Sequence, residues 1–139
     1  MLVGTYYHTL ESKGRFSLPK AFRNEATDWV LTAGLDGCLF IFKKQDFETE
    51  AAKLVQLSYL QADHRAIIRH FAASACEQQT DSLGRLSIPA SLQKLANLKK
   101  DLVVVGALTR IEIWDRDRYS ELFDKLAQTI EEKSEKIAV

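Results

Sequence analysis

Cysteine is scarce in this chain of 139 residues: it has two, Cys38 and Cys76, and both lie in apolar stretches. They do not share the close spacing of a metal-binding pair, and disulfides are rare in small intracellular proteins. We therefore expect two buried free thiols, with neither a disulfide framework nor a cysteine-based metal site.

Long apolar runs and a secretion signal are also missing. No stretch approaches the ~18 apolar residues that a membrane-spanning helix needs. The start of the chain shows no charged segment followed by an apolar one. We expect a cytoplasmic protein with no membrane partner, built as one domain or as two small units fused into one.

Residues with catalytic spacing are few. The three histidines, His8, His64 and His70, have no ligand spacing among themselves. No serine lies in the strand-to-helix glycine elbow of a hydrolase, and SKGR and SLGR each offer one glycine where a phosphate loop needs several. We predict no catalytic residue, metal, cofactor or small-molecule substrate, so an enzyme is the least favoured class.

An excess of one charge is missing as well, because 19 basic residues balance 19 acidic ones. The distribution is uneven, however. Segments 1–24 and 81–100 each hold four basic residues against one acidic residue, a net charge of +3, whereas segments 25–80 and 112–139 each hold five against eight, a net charge of −3. A neutral protein can present a basic face when its acidic residues lie elsewhere.

The two basic segments contain the same short motif. ESKGRFSLP at residues 11–19 matches DSLGRLSIP at residues 81–89 at five of nine positions. The similarity extends from VGTYYHTLESKGRFSLPKAF to ASACEQQTDSLGRLSIPASL at an offset of 70, and from GLDGCLFIFKKQDF to GALTRIEIWDRDRY at an offset of 72. The chain is therefore a fused duplication rather than a solenoid, which would need three or more repeats.

The motif predicts a charged corner between two strands. Gly14 and Gly84 stand where a tight hairpin turn needs a positive φ. Pro19 and Pro89 end the short strand that follows and suit the first turn of a helix. We expect each corner to join its flanking strands as a hairpin.

The remaining patterns define the units. WVLTAG is expected to pair with LFIFKK, and LVVVGA with RIEIW, while the stretches after them have apolar residues at helical spacing. The predicted units are a first repeat at residues 1–55, a helical connection at 56–72, and a second repeat with a C-terminal helix at 73–139.

The geometry of a turn explains the acidic residue and the glycine of each corner, but it does not explain the arginine. A carboxylate at the start of a turn accepts backbone N–H bonds, a role that suits Asp81 better than Glu11, which is one methylene longer. The turn does not need Arg15 or Arg85, yet both copies carry one at this place. An arginine fork fits phosphates and the guanine edge in the major groove, which a two-stranded hairpin can enter. On the residues alone, a DNA-reading arginine and a merely exposed one are equally good interpretations. The neighbouring basic residues suited to phosphate contact are Lys13, Lys20 and Arg23.

The start MLVGTYYHTLESKGRFSLPKAFR, followed by DSLGRLSIP in the second copy, resembles the MraZ family of bacterial transcriptional regulators, which belong with the AbrB-like, or SpoVT-AbrB, DNA-binding domains. The resemblance covers nearly the whole chain. It implies an α+β fold in which two tandem AbrB-like units of the swapped-hairpin type form a pseudo-symmetric β-barrel with flanking helices. It also implies ring-like homo-oligomers that bind short direct repeats of double-stranded DNA in the promoter of the division and cell-wall gene cluster, and hence a nucleoid-associated protein.

The resemblance also assigns roles within the corner. Arg15 and Arg85 inherit the DNA contact of the family's acidic-x-x-x-Arg motif. This chain departs from the family at Glu11, where aspartate is usual, and its second copy has Leu83 in place of Lys13. An antitoxin-like or assembly protein that acts mainly through protein–protein contact is the alternative, and salt-dependent DNA binding would separate the two. The turn-shaping positions are Glu11, Gly14, Asp81 and Gly84.

Overall fold

The computed structural model describes residues 1–137. The strands are β1 (Leu2–Thr9), β2 (Arg15–Ser17), β3 (Asp28–Ala33), β4 (Leu39–Lys43), β5 (Cys76–Gln79), β6 (Arg85–Ser87), β7 (Asp101–Leu108) and β8 (Ile111–Asp115). The helices are α1 (Lys20–Arg23), α2 (Lys44–Val55), α3 (Ala62–Ser74), α4 (Ala90–Leu95) and α5 (Arg116–Glu135). Residues 138 and 139, which end the predicted second repeat, lie outside the described residues.

Six strands form one antiparallel sheet in the order β1-β7-β8-β4-β3-β5. The hairpins predicted within each copy are confirmed, because β3 pairs with β4 and β7 pairs with β8. The other ladders join the copies: β1 runs along β7, β5 runs along β3, and β4 meets β8 at the centre. The first strand of each copy therefore completes the sheet of the other copy.

The expected corner hairpins are wrong in their pairing. Each turn does close with one backbone hydrogen bond, from Glu11 N–H to the Arg15 carbonyl at 2.7 Å and from Asp81 N–H to the Arg85 carbonyl at 3.0 Å. Beyond the turn, however, β2 forms its ladder with β6 of the other copy and not with β1. Each of these strands has three residues, and pairing across the copies lets the central apolar residue of both enter a shared core.

The fold is α+β, but the closed barrel implied by the resemblance is not found as a continuous ladder within residues 1–137. The sheet has β1 and β5 at its edges, and β2 with β6 forms a separate two-stranded ladder, which we call the ribbon. Left-handed backbone at Gly14 and Gly84 turns the chain at each corner and takes the ribbon out of the sheet. The ribbon still lies beside both edges, since β2 contacts β1 and β6 contacts β5.

Both copies contribute to one hydrophobic core on the ribbon side of the sheet. Burial of an aliphatic or aromatic side chain stabilises a fold by ~1.5–3 kcal/mol, so the copies depend on each other. The opposite face of the sheet packs against α2, α3 and α5 through a second cluster. The larger core comprises Leu2, Phe16, Leu18, Phe22, Trp29, Leu31, Leu39 and Ile41 of the first copy, and Leu86, Ile88, Leu92, Ala96, Leu102, Val104, Ile111 and Ile113 of the second.

The two cysteines and the two histidines of the helical region have contacts within the fold. Cys38 is buried and Cys76 is half-buried, and both are free. Burial raises the pKa of the Cys38 thiol to about 12. His64 Nδ1 accepts the Ser58 N–H at 3.0 Å, and His70 Nε2 lies 2.7 Å from a carbonyl oxygen in the β3–β4 loop. Within residues 1–137, no helix has the length and apolar character needed to cross a membrane.

Candidate nucleic-acid interface

The ribbon brings the two predicted arginines onto one surface. Its register pairs Arg15 with Ser87 and Ser17 with Arg85. The two residues between them pair with each other and are buried in the core, at 0% and 1% exposure. Since successive side chains alternate across a strand, the arginines and serines share the opposite face. Diagonal neighbours on such a pair lie ~7–8 Å apart.

Asp81 organises the second corner. Its Oδ1 accepts the backbone N–H groups of Leu83 and Arg85, both at 2.9 Å, and its Oδ2 accepts Arg85 Nε–H at 2.8 Å. The backbone N–H of Arg85, together with its guanidinium and the Leu83 N–H, holds the pKa of Asp81 below its usual value, because these donors favour the charged carboxylate. This is the geometry that the sequence predicts for an aspartate at the start of the turn.

The first corner is built differently. The Glu11 side chain makes no capping hydrogen bond to the turn. Lys13 (φ 62°) and Gly14 (φ 70°) take the left-handed conformation in succession, whereas in the second corner the described backbone does so at Gly84 alone (φ 74°). Left-handed backbone costs a non-glycine residue about 1–2 kcal/mol. The longer acidic side chain therefore accompanies a less favourable turn.

Each corner glycine touches a polar side chain of the other copy. A Cβ on Gly84 would lie 2.6 Å from Arg23 Nε, and a Cβ on Gly14 would lie 2.4 Å from Gln93 Nε2. Both polar side chains donate, at 2.7 Å, to the carbonyl oxygen of the residue before the proline of their own copy. Arg23 and Gln93 occupy matching places 70 residues apart and clamp the two corners in the same way.

Arg23 thus has a structural role in addition to the phosphate contact that the sequence predicts. Its Nε is committed to a backbone carbonyl, and its side chain lies against a glycine of the other copy. Sequence reasoning missed Gln93 altogether. The offset of 70 aligns the two positions, but a guanidinium and a carboxamide do not look equivalent until the contacts are visible.

The two ribbon arginines differ in their partners. Arg85 is flanked by two carboxylates, with Nε 2.8 Å from Asp81 Oδ2 and Nη1 3.8 Å from Glu11 Oε1 of the other copy. Arg15 is also half-buried, but within residues 1–137 no ion pair or side-chain hydrogen bond holds its guanidinium. The arginine of the first corner is therefore the more available of the two.

Two lysines extend the positive charge around the ribbon. Lys13 and Lys20 are exposed, in the first corner and at the start of α1 respectively. The Lys13 carbonyl accepts the Ser87 hydroxyl at 3.3 Å, which ties the first corner to β6. Guanidinium, ammonium and hydroxyl groups together form a surface of hydrogen-bond donors. Such a surface suits a ligand rich in acceptors, such as phosphates and the guanine edge.

Metal-ligating side chains are not clustered in the part of the chain that the structure describes. Within residues 1–137, no group of three or more His, Cys, Asp and Glu side chains is placed to hold a metal ion. The corner carboxylates Glu11 and Asp81 face arginine nitrogens instead.

Comparison with known proteins confirms the resemblance. A sequence model of the family described as "MraZ protein, putative antitoxin-like" matches residues 1–70 and again residues 71–138. A protein of Heliobacterium modesticaldum named Transcriptional regulator MraZ is 41% identical over 138 residues, which cover 99% of this chain and 96% of the relative. Proteins with the same name from Moorella thermoacetica and Caldicellulosiruptor saccharolyticus are 40% and 41% identical, and cover 99% and 95% of this chain and 96% and 98% of their own lengths.

Proposed function

This chain belongs to the MraZ family, and we propose that it is a DNA-binding transcriptional regulator that reads double-stranded DNA with the ribbon and its two corners. The observation that carries the proposal is the placement of Arg15 and Arg85 on one face of one ribbon, contributed by both copies. The names of the relatives, which are transcriptional regulators, support it. The same names support a protein that is not an enzyme.

The ribbon suits the major groove of DNA. That groove is ~12 Å wide and admits a two-stranded β-ribbon, and its guanine edge offers two acceptors to one arginine fork. We assign base contact to Arg15 and Arg85. Lys13 and Lys20 take phosphate contacts, which fix register and orientation without specifying sequence. The ribbon would then enter the groove as a single unit rather than as two separate hairpins.

We extend the proposal to the target and the place of action. The family resemblance supports short direct repeats in the promoter of the bacterial division and cell-wall gene cluster, and a nucleoid-associated protein in the cytoplasm. A footprint on DNA upstream of the chain's own gene would test the target. Protection of regularly spaced short repeats is expected, and uniform weak protection would count against sequence-specific reading.

Several copies of the chain are needed for useful affinity. One ribbon makes few base contacts, each worth ~1–3 kcal/mol of discrimination, so linked ribbons must add through effective concentration. Apolar side chains are exposed on the helical side, including Tyr59 (73%), Leu60 (76%) and Phe123 (54%). Beside them, α2 and α3 enclose an apolar groove of about 430 Å³. We propose a closed, ring-like homo-oligomer, and light scattering that gave a monomer across micromolar concentrations would contradict it.

The arginines provide the direct test of DNA reading. Arg15→Ala should weaken binding to the operator about 5- to 150-fold, the equivalent of ~1–3 kcal/mol, and should weaken binding to scrambled duplex less. Arg85→Ala should act in the same direction with a smaller effect, because Asp81 and Glu11 already engage that side chain. Both variants should melt close to wild type, since neither arginine lies in the core.

A lysine variant serves as the matched control. Lys13→Ala should weaken operator and scrambled duplex alike and reduce the salt dependence by about one counterion, because a phosphate contact carries no sequence information. Titrations at two salt concentrations, with thermal melts alongside, measure both effects. A folded Arg15→Ala, Arg85→Ala double variant with wild-type affinity for the operator would contradict the proposal that these arginines contact DNA bases.

The alternative is an antitoxin-like or assembly protein that acts mainly through protein–protein contact. The exposed apolar side chains around α2, α3 and α5 favour it, as does the antitoxin-like description of the family. On this alternative, DNA binding would be weak at every salt concentration and indifferent to sequence. Substitutions on the helices would then matter more than Arg15→Ala.

A further inference from the structure

The cross-copy contact between Glu11 and Arg85 has no counterpart on Arg15. Glu11 Oε1 lies 3.8 Å from Arg85 Nη1. The matching contact would join Asp81 to Arg15, but both oxygens of Asp81 are taken up within its own corner, by the Leu83 and Arg85 N–H groups and by Arg85 Nε–H. The duplication is therefore asymmetric in the ionic contacts of its ribbon.

Side-chain length explains the asymmetry. An aspartate at the start of a turn reaches the N–H groups two and four residues further on, as Asp81 does. Glu11 is one methylene longer and leaves its own turn uncapped. Its carboxylate extends across the ribbon instead, towards the guanidinium of the other copy.

The two carboxylates occupy different edges of the Arg85 guanidinium. Asp81 takes the Nε edge at 2.8 Å, and Glu11 stands off the Nη1 edge at 3.8 Å. A bidentate contact with guanine or phosphate needs a pair of adjacent guanidinium N–H groups pointing at the ligand. For Arg85, the Glu11 carboxylate lies beside Nη1 of that fork, so a DNA acceptor that approaches it meets a negative charge.

We propose that Glu11 is a positioning residue that holds the Arg85 fork away from DNA, so that the ribbon presents Arg15 first and Arg85 second. The inference rests on the proposed DNA-binding function and deepens it. It assigns unequal roles to two arginines that the sequence repeat presents as equal, and it predicts that one half of the ribbon discriminates bases more strongly than the other.

The DNA arm of the test is a double-mutant cycle. Glu11→Gln keeps the shape of the side chain and removes its charge, and it should tighten operator binding about two- to fivefold. In an Arg85→Ala background the gain should disappear, whereas in an Arg15→Ala background it should remain. An equal gain in both backgrounds would mean that Glu11 repels phosphates directly. That result, or no gain at all, would overturn the proposal.

A matched control separates this effect from a change in net charge. Glu48 is an exposed carboxylate on α2, away from the ribbon. Glu48→Gln changes the net charge by the same amount and should leave operator affinity within about a factor of 1.5. A gain equal to that of Glu11→Gln would show that overall charge accounts for the result, and would count against the positioning role.

A second arm needs no DNA. Phenylglyoxal modifies accessible arginines, and mass spectrometry gives the rate at each site in the DNA-free protein. Arg85 should react at least twofold more slowly than Arg15. Glu11→Gln should speed the reaction at Arg85 and leave Arg15 unchanged. Glu11→Asp should also release Arg85 and should slow Arg15, because the shorter carboxylate can take the place in the first corner that Asp81 takes in the second.

The two arms fail in different ways. A wild-type protein with no preference for any operator, but with a protected Arg85 that Glu11→Gln releases, would sink the proposed function and leave the ionic contact established. Equal labelling of Arg15 and Arg85, unchanged by Glu11→Gln, would overturn the present inference even if DNA binding were strong.

Discussion

The two corners share a motif and differ in what holds them. In the second corner, the Asp81 carboxylate caps the turn and engages its own arginine. In the first corner, Glu11 caps nothing, and Lys13 and Gly14 both take left-handed backbone. The turn is therefore held by a side-chain cap in the second copy, and it contains a second left-handed residue in the first.

What the corners keep in common is their contact with the other copy. Leu18 N–H donates to the Gly84 carbonyl at 3.0 Å, and Ile88 N–H donates to the Gly14 carbonyl at 2.8 Å. These matching bonds, with the ribbon ladder between them, fix where each corner lies. The cross-copy bonds therefore define the position of each corner, while the acidic residue differs between the copies and changes the electrostatic surroundings of the arginines.

Separating the copies should have the largest effect. Within residues 1–74, β1 would lose β7, β2 would lose β6 and β3 would lose β5, so β3–β4 is the one ladder that the fragment retains. The core residues of the first copy would also lose their partners. We expect this fragment to aggregate or to pair with itself, as measured by light scattering. A monomeric fragment with a well-dispersed NMR spectrum would contradict the shared core.

Much of this fold could be predicted from the sequence because it is local. Neighbouring apolar segments separated by short turns predicted the hairpins β3–β4 and β7–β8, and proline predicted the starts of α1 and α4. The partner of each short strand could not be predicted in the same way, because a three-residue strand such as Arg15–Ser17 carries no signal that distinguishes β1 from β6. Register between distant segments is set by the shared core, which exists only once both copies are folded.

The candidate site shows the same division. The repeat itself identified Arg15, Arg85 and both corner glycines. The sequence could not show that Arg23 and Gln93 make equivalent contacts, because the two residue types differ. Each donates a hydrogen bond to the carbonyl before the proline of its own copy and lies against the corner glycine of the other copy. It suggested that Glu11 suits the turn less well than Asp81, but gave no sign that its carboxylate approaches the other copy.

The corner glycines should give the next largest effect, and an unequal one. A Cβ at Gly14 would lie 2.5 Å from the Ile88 carbonyl oxygen, which belongs to the backbone and cannot move aside. A Cβ at Gly84 would meet the Arg23 side chain at 2.6 Å, which can shift. With left-handed backbone in both, Gly14→Ala should lower the free energy of unfolding by about 2–4 kcal/mol and Gly84→Ala by about 1–2 kcal/mol.

Urea denaturation measures this difference, and a third glycine isolates the backbone contribution. Gly37 also has positive φ (92°), but a Cβ there would meet its nearest neighbour, Arg118 Nε, at 3.3 Å. Gly37→Ala should therefore report mainly the cost of left-handed backbone. Equal losses for Gly14→Ala and Gly37→Ala would show that the contact with the other copy is unimportant.

Removing the corner carboxylates should have a smaller effect that again separates the copies. Asp81→Ala leaves two backbone N–H groups without their acceptor and should lower the melting temperature more than Glu11→Ala, which removes no capping bond. The pH dependence follows from the lowered pKa of Asp81. Its stabilisation is present above the ordinary value of 3.8 and is lost as pH falls through the lower folded value. The melting temperatures of wild type and Asp81→Ala should therefore differ at neutral pH and converge as the pH is lowered well below 3.8. Equal melting temperatures for Asp81→Ala and Glu11→Ala at neutral pH would contradict the difference between the corners.

The smallest effect on stability is expected from His8 on β1 and Gln78 on β5, which occupy matching positions of the two copies, 70 residues apart, on the strands beside the ribbon. In the second copy, Gln78 Oε1 accepts the Ser87 N–H at 2.8 Å, and its amide nitrogen donates to the Ser87 carbonyl, so the side chain ties β5 to the ribbon. The first copy has His8 at the matching place. Burial, together with the positive charge of Arg23, lowers the pKa of His8, and the negative charge of Glu11 opposes this only in part.

Because the folded protein binds the His8 proton less readily than the unfolded chain does, this group contributes fully to stability above its ordinary pKa of 6.5, and the contribution is lost as pH falls through the lower folded value. His8→Gln should remove this loss and can reproduce the Gln78 arrangement, with Ser17 in place of Ser87. At pH 8 the variant should match wild type within ~0.5 kcal/mol, and its stability should decline less steeply as the pH falls below 6.5. The loss begins below pH 6.5 for His8 and below pH 3.8 for Asp81, so one series of urea denaturation curves across both ranges, with each variant, assigns the two contributions. An unchanged acid slope in His8→Gln would show that His8 does not set the pH response of the first copy.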